Sequence, residues 1–290
     1  MAVTLRKLVE CQPQLDELIV VEQSSELNSQ AEEALKLFGS RGTLIRQFRP
    51  NAQVARNEAA RKSRAEILLF LDDDVDPKPD LIKKHLENYQ DPSIQAVAGF
   101  YLEPSDQETS EPRKNIWWRP LTKIEKYPAS YSRRVDSPLW PSCNGSIRRE
   151  VYLKLGGFDE NYRFTLLDDT DLAVRMKRAG YRCIHDPNAR LFHRKEPTGG
   201  NRPVKPGDRV IASREKWYTW FYFFWMNYGL MGTGEILFRM RTNVLRRPYL
   251  VKPSLIWVAI KEMMSGLIMA VRAIYSDRKT MNNTNLRRRA

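Results

Sequence analysis

Cysteine is scarce in this chain: three residues in 290, Cys11, Cys143 and Cys183, widely spaced and without a Cys-x-x-Cys pair. An odd, scattered set argues against a disulfide frame or a thiolate zinc site and suits a reducing compartment. Internal repeats and low-complexity tracts are absent, which excludes a repeat architecture. The opening residues lack a sustained apolar core, so no signal peptide is expected in them. Acidic residues are the minority charge, 35 against 48 Lys and Arg, for a formal net charge of +13. Much of that excess lies in residues 239–290, where twelve Lys or Arg face only Glu262 and Asp277. A basic tail points to an anionic membrane or to nucleic acid. No nucleic-acid partner is expected, because these charges alternate with long apolar helices instead of forming a solvated arm. A hydrophobic share of 42% leaves room for one large α/β domain and an appendage.

The stretch that organises the rest is ILLFLDDDVDPKPDLI, residues 67–82. A short continuous apolar run followed by Pro77 and Pro79 reads as a strand buried on both faces, as in a parallel sheet. Three adjacent carboxylates, Asp72, Asp73 and Asp74, stand at its carboxyl end, where open α/β sheets bind ligands. Such a cluster is costly unless a cation occupies it, and carboxylate oxygens suit Mg²⁺ or Mn²⁺ holding phosphates. A solvated acidic turn is the alternative.

Before this strand the pattern predicts a helix over 3–9, a strand from 17 to 22, a helix over 29–38, a strand over 43–48 and a helix over 51–63. After it come a helix over 80–89 and a strand over 96–102. The alternation indicates a doubly wound, mainly parallel, Rossmann-like sheet. Residues 103–134 are Pro-rich and charged, with Trp117 and Trp118, and read as an excursion with a binding role. A strand or turn through Asn144 and Gly145 and a helix over 149–155 follow. Another helix spans 171–179, with acids in its first turn and bases in its last. Two short strands, 181–187 and 189–197, come next, the second carrying His193. From Trp217 the run WYTWFYFFWMNYGLMGTG holds eighteen uncharged residues, half of them aromatic. Residues 255–275 are apolar except for Lys261, Glu262, Ser265 and Arg272, which cluster towards one helical face.

A second acidic group, Asp168, Asp169 and Asp171, follows Leu166 and Leu167. Two carboxylate sets on separate segments are what metal-assisted transfer from a phosphorylated donor requires: one anchors metal and phosphate, another takes a proton from the attacking hydroxyl. At this point the segments IVVEQSS, ARNEAARKSRAEILLFLDDD, NGSIRREVYLKLGGFDENYR, LLDDTDLAVRMKRAGYR and LFH, in that order, resemble a family 2 glycosyltransferase of the inverting GT-A fold, over about residues 2–195. The resemblance implies a nucleotide-diphosphate sugar donor, Mn²⁺ or Mg²⁺, and a saccharide or lipid-linked acceptor. It makes Asp74 a metal ligand, places Asp72 by the ribose or a metal-bound water, and leaves Asp73 as the variable middle of a DxD-like motif. Asp169 matches the general base, with Asp168 in place of the usual Glu. Glu22 stands where the family has the Asp that reads the nucleotide base. Arg56 and Asn57 match a pair near the nucleotide, and His193 a residue that completes the metal sphere. Asn144 and Gly145 are expected on the acceptor side, with Trp117 and Trp118. Asp171 is read as a helix-start acid.

The family opens with an apolar strand before its first helix, and this sequence starts at that helix. The expectation is therefore that Met1 is not the native start and that a strand lies upstream. The domain reading is a catalytic domain over 1–212 and an aromatic, basic helical region over 213–290. For the latter, amphipathic helices lying on an anionic membrane lead, ahead of core helices and a transmembrane span. Together these give a sugar transferase of bacterial surface polysaccharide synthesis, cytoplasmic and peripheral on the inner face of the cell membrane. The alternative is a membrane-associated nucleotide-sugar or glycan-binding remnant.

Overall fold

The computed structural model describes residues 1–24, 28–47, 50–110, 129–162, 164, 166–196, 213–244 and 254–281. Trp117 and Trp118 lie outside them. Two compact units emerge. Among the described residues, the first comprises 1–24, 28–47, 50–110, 129–160 and 172–196; the second comprises 161–162, 164, 166–171, 213–244 and 254–281.

In the first unit the expected helices form as α1 (Ala2–Leu8), α2 (Ser29–Lys36), α3 (Ala52–Lys62), α4 (Leu81–Glu87) and α5 (Arg149–Lys154). Asn28 and Asn51 cap α2 and α3, each accepting a hydrogen bond from a backbone N–H of the first turn. Strands β1 (Leu18–Glu22) and β2 (Gly42–Arg46) pair in parallel as a two-stranded sheet. The main sheet has the order β3 (Ile67–Leu71), β7 (Asn144–Arg148), β5 (Ala96–Leu102), β8 (Cys183–His193), β4 (Val75–Pro77), with β6 (Val135–Asp136) pairing to β8.

The α/β class holds, but the sheet is mixed rather than mainly parallel. β5 and β8 run parallel, whereas β7 is antiparallel to both β3 and β5, and β4 and β6 are antiparallel to β8. The two short strands expected over 181–197 are one strand, β8, whose pairing with β5 shifts register between Gly99 and Phe100. The Pro-containing turn after the acids is itself the short strand β4. The sheets share an apolar cover: Leu18 and Val20 of β1 and Leu69 and Leu71 of β3 pack in one cluster with Leu5, Leu8, Ala31, Ala34 and Phe38. On the other face Phe70 sits among Trp140, Tyr152 and Phe158, with ring centroids 5.2 to 6.1 Å away.

A buried polar network braces the sheet. Asn144 donates both amide hydrogens to the carbonyls of Phe100 and Ala189, so its Oδ1 accepts from His85 Nε2 at 3.0 Å. His85 Nδ1 is then the acceptor for Ser146 Oγ at 2.8 Å, and Tyr89 in turn donates to Ser146. Burial pushes the His85 imidazole down to about 4 against the opposing pull of Asn144 and Asp186.

The second unit is helical: α7 (Arg214–Tyr228), α8 (Gly232–Val244) and α9 (Ser254–Met281). The helix α6 (Asp168–Arg178) begins in this unit, and the unit boundary falls within it. The aromatic run was expected to face a membrane. Instead Trp217, Tyr218, Trp220, Phe221, Tyr222, Phe223 and Phe224 of α7 are all buried. Burying rings on every side of one helix makes α7 the axis of the unit's core. α9 lies close against it because Gly266 has no side chain: a Cβ there would sit 2.6 Å from the Arg214 carbonyl. No helix among the described residues is long and apolar enough to cross a membrane.

Candidate metal centre and acid pair

β3 delivers the chain to the three acids, and β4 turns it back along the end of β8. The antiparallel pairing puts Val75 opposite His193, so Asp74 meets a histidine 119 residues away. His193 Nε2 lies 2.9 Å from Asp74 Oδ1 and 3.8 Å from Asp72 Oδ2. The other Asp74 oxygen accepts the Glu196 backbone N–H at 3.0 Å, and the Asp74 carbonyl accepts that of Arg194. Arg56, on α3, donates to Asp72 Oδ1 at 3.0 Å and lies over the Phe158 ring. The Thr4 hydroxyl of α1 is 2.7 Å from the Asp73 carbonyl and 2.9 Å from that of Val75, fastening the helix to the acidic turn. Asp73 turns outward: its side chain is 68% exposed and stands 3.9 Å from the terminal amine.

Ligand atoms of Asp72, Asp74 and His193 all lie within 4.8 Å of one another. Around an octahedral ion with bonds of about 2.1 Å, neighbouring ligands sit roughly 3 Å apart and opposite ones roughly 4 Å. The His193 separations of 2.9 and 3.8 Å from Asp74 and Asp72 fall within that range, and two carboxylates with one imidazole suit Mn²⁺ or Mg²⁺. Burial acts to lower the His193 pKa, but its hydrogen bond to Asp74 and the charges of Asp74, Asp72 and Glu103 outweigh burial and hold it above the ordinary value.

Other expected site residues are placed differently. Asn57 is buried and spent as a clasp: its amide donates to the Phe158 carbonyl and to Glu160, and its Oδ1 accepts from Tyr152 and the Phe158 N–H. It therefore fixes α3, and with it Arg56, rather than reaching a nucleotide. Gly157 makes this possible, since at φ +69 a Cβ would fall 2.3 Å from Asn57 Oδ1. Asn144 and Gly145 depart from the acceptor-lining expectation. Asn144 is fully buried in the network above, and a Cβ on Gly145 would strike the Pro141 carbonyl and the Trp140 ring. Glu22 is buried at the end of β1, where its carboxylate accepts the backbone N–H and hydroxyl of Ser24. Thr4 and Arg194, which binds the Val75 carbonyl and Asp76, were not anticipated; both act through the fold and carry no sequence motif.

In the second unit Asp168 and Asp169 open α6 directly after Leu167, whose φ of 66 is a conformation that a leucine adopts only under constraint. Asp168 is buried and Asp169 half-buried. Asp171 accepts from Tyr162 at 3.3 Å and from Asn227 at 2.8 Å, which makes it an anchor of α7.

The sequence profile described as Glycosyl transferase family 2 matches residues 1–156. The protein y4gI of Sinorhizobium fredii is 27% identical over 213 residues, covering 69% of this chain and 23% of its own length. The N-acetylglucosaminyl-diphospho-decaprenol L-rhamnosyltransferase of Mycobacterium tuberculosis is 37% identical over 58 residues, 20% of this chain and 19% of that protein. This chain thus spans about a fifth of the length of these curated relatives. Among solved structures, that of GalNAc-T7 with UDP, GalNAc and Mn²⁺ shares the fold at a TM-score of 0.55 and 16% identity, over 76% of this chain and 44% of that one.

Proposed function

Because this chain belongs to glycosyl transferase family 2, we propose that it moves a sugar from a nucleotide-diphosphate donor to a saccharide or lipid-linked acceptor, with inversion, in the assembly of a bacterial surface polysaccharide. The observation that carries the reading is the convergence of Asp72, Asp74 and His193 at the carboxyl end of β3. These three residues would hold Mn²⁺ or Mg²⁺, which when bound would supply Lewis-acid stabilisation of the departing diphosphate. Arg56 holds the Asp72 carboxylate in place. Asp169 takes the proton of the acceptor hydroxyl. The hydroxyl oxygen then forms its bond to the anomeric carbon as the bond to the diphosphate oxygen breaks, and the electron pair leaves with the nucleoside diphosphate. Asp168 is the neighbouring acid that supports that base.

The same reading places the enzyme against an anionic membrane surface through α9. Trp257, Met264, Ile268, Val271 and Tyr275 are exposed along one side of this helix, flanked by exposed Lys261 and Arg272. Ala259, Gly266 and Ala270 are buried on the opposite side. An apolar stripe with aromatic ends and basic flanks suits a headgroup boundary.

Thermal unfolding with UDP, GDP, dTDP or CMP, each with and without Mn²⁺, tests the donor site, because a ligand that binds only the folded chain raises its apparent stability. A metal-dependent rise with one nucleotide is expected; no shift with any of them overturns the reading.

A further inference from the structure

We propose that Glu103 is the residue that orients His193 towards the cation, an inference that rests on the metal reading above. Glu103 follows β5 directly, and the register of β5 with β8 ends at Leu102 opposite Phe192. The residues that come next along the two segments are Glu103 and His193. Glu103 Oε1 lies 4.0 Å from His193 Nδ1, and its other oxygen, Oε2, is paired with Lys195. Lys195 itself has a φ of 54, an uncommon conformation for a residue with a side chain. His193 is buried, and its Nδ1 has no hydrogen-bond partner among the described residues.

A neutral imidazole carries one N–H. In this structure Nε2 bonds Asp74, so in the neutral ring the proton sits on Nε2. To ligate a cation the Nε2 lone pair must be free, and the proton must then sit on Nδ1. A buried Nδ1–H without an acceptor is unfavourable. Glu103 Oε1 is the carboxylate facing that nitrogen, and closing the gap by about 1 Å makes it a hydrogen bond. Lys195 fixes the far oxygen, so the carboxylate can accept without turning away. The result is a carboxylate–histidine–cation chain in which Glu103 sets the ring's tautomer and direction without touching substrate.

The test uses the whole chain and compares Glu103→Ala and Glu103→Gln with the unaltered protein. Mn²⁺ affinity is read by electron paramagnetic resonance, and the His193 tautomer by ¹⁵N NMR with Mg²⁺. Removing Glu103 also frees the Lys195 charge, so the pair Lys195→Met and Glu103→Ala/Lys195→Met isolates the orientation effect. Expected are a Kd for Mn²⁺ raised about tenfold by Glu103→Ala in both backgrounds, an Nδ1–H tautomer in the unaltered chain with Mg²⁺, and substantial recovery in Glu103→Gln, whose amide oxygen can still accept. An affinity unchanged within about twofold in Glu103→Ala, with thermal unfolding intact, overturns the assignment. So does a loss that vanishes once Lys195 is neutral. If the unaltered chain binds no Mn²⁺, it is the metal reading itself that fails.

Discussion

The end of β3 and the long helix α9 both gather conspicuous residues, yet they are built on opposite logic. At the end of β3, polar groups far apart in sequence are brought together, and nearly every one has a neighbour that fixes its direction: Arg56 on Asp72, the Glu196 N–H on Asp74, Thr4 beneath the turn. Along α9 the residues are local, and one helical period sorts them into a side packed by small residues and a side left exposed and apolar. The difference teaches that a candidate reactive centre is recognised by convergence and constraint, and a candidate docking face by apolar surface that the rest of its unit does not cover.

The sharpest way to break this comparison is to remove a converging carboxylate. Asp74→Asn and, separately, Asp169→Asn are each expected to lower sugar transfer by about 10²- to 10⁴-fold. In Asp74→Asn the Mn²⁺-dependent rise in unfolding temperature should vanish as well. In Asp169→Asn nucleotide binding should survive, and turnover that also survives would remove this residue from the base role.

A smaller effect concerns the brace behind the centre. His85 has its pKa depressed to about 4 from an ordinary 6.5. Between those values the unfolded chain binds a proton that the folded chain does not, so stability present above pH 6.5 is lost as pH falls towards 4. The His85 contribution is on the order of 3 kcal/mol. Denaturant titrations from pH 7 to 4.5 should show a shallower decline in His85→Gln than in the unaltered chain, and parallel curves would disprove the assignment.

In the helical unit, Gly266→Leu should cost about 2–3 kcal/mol by forcing α9 away from the Arg214 carbonyl and Trp217. The smallest stability effect is expected on the exposed side of the same helix. Trp257→Ser with Tyr275→Ser should change stability by no more than about 0.5 kcal/mol. The same pair should weaken co-sedimentation with phosphatidylglycerol vesicles and leave transfer to a soluble acceptor unaltered. Equal vesicle binding by both proteins would return α9 to a purely structural role.

Much of this is legible in the sequence. The apolar run into Asp72, Asp73 and Asp74 gave a strand with acids at its end, because strand and ligand positions follow from local pattern. The helices expected over 29–38 and 51–63 form close to those bounds, as Ser29–Lys36 and Ala52–Lys62. Asn57 and Asn144, by contrast, look the same in sequence whether they face a ligand or brace a turn; only the partners around them, such as Tyr152 and Ala189, decide. The aromatic run of α7 was equally ambiguous, since rings that would suit a membrane boundary also fill a core.

By itself, then, the sequence determined the α/β class, the glycosyltransferase family and the place of its acidic clusters along the chain, because periodicity and short motifs are local properties of the chain. Tertiary structure alone decided that β7 enters the sheet antiparallel, that His193 closes on Asp74, and that α7 lies inside its unit while one side of α9 stays exposed. Those outcomes depend on contacts between segments distant in sequence, which no local pattern encodes.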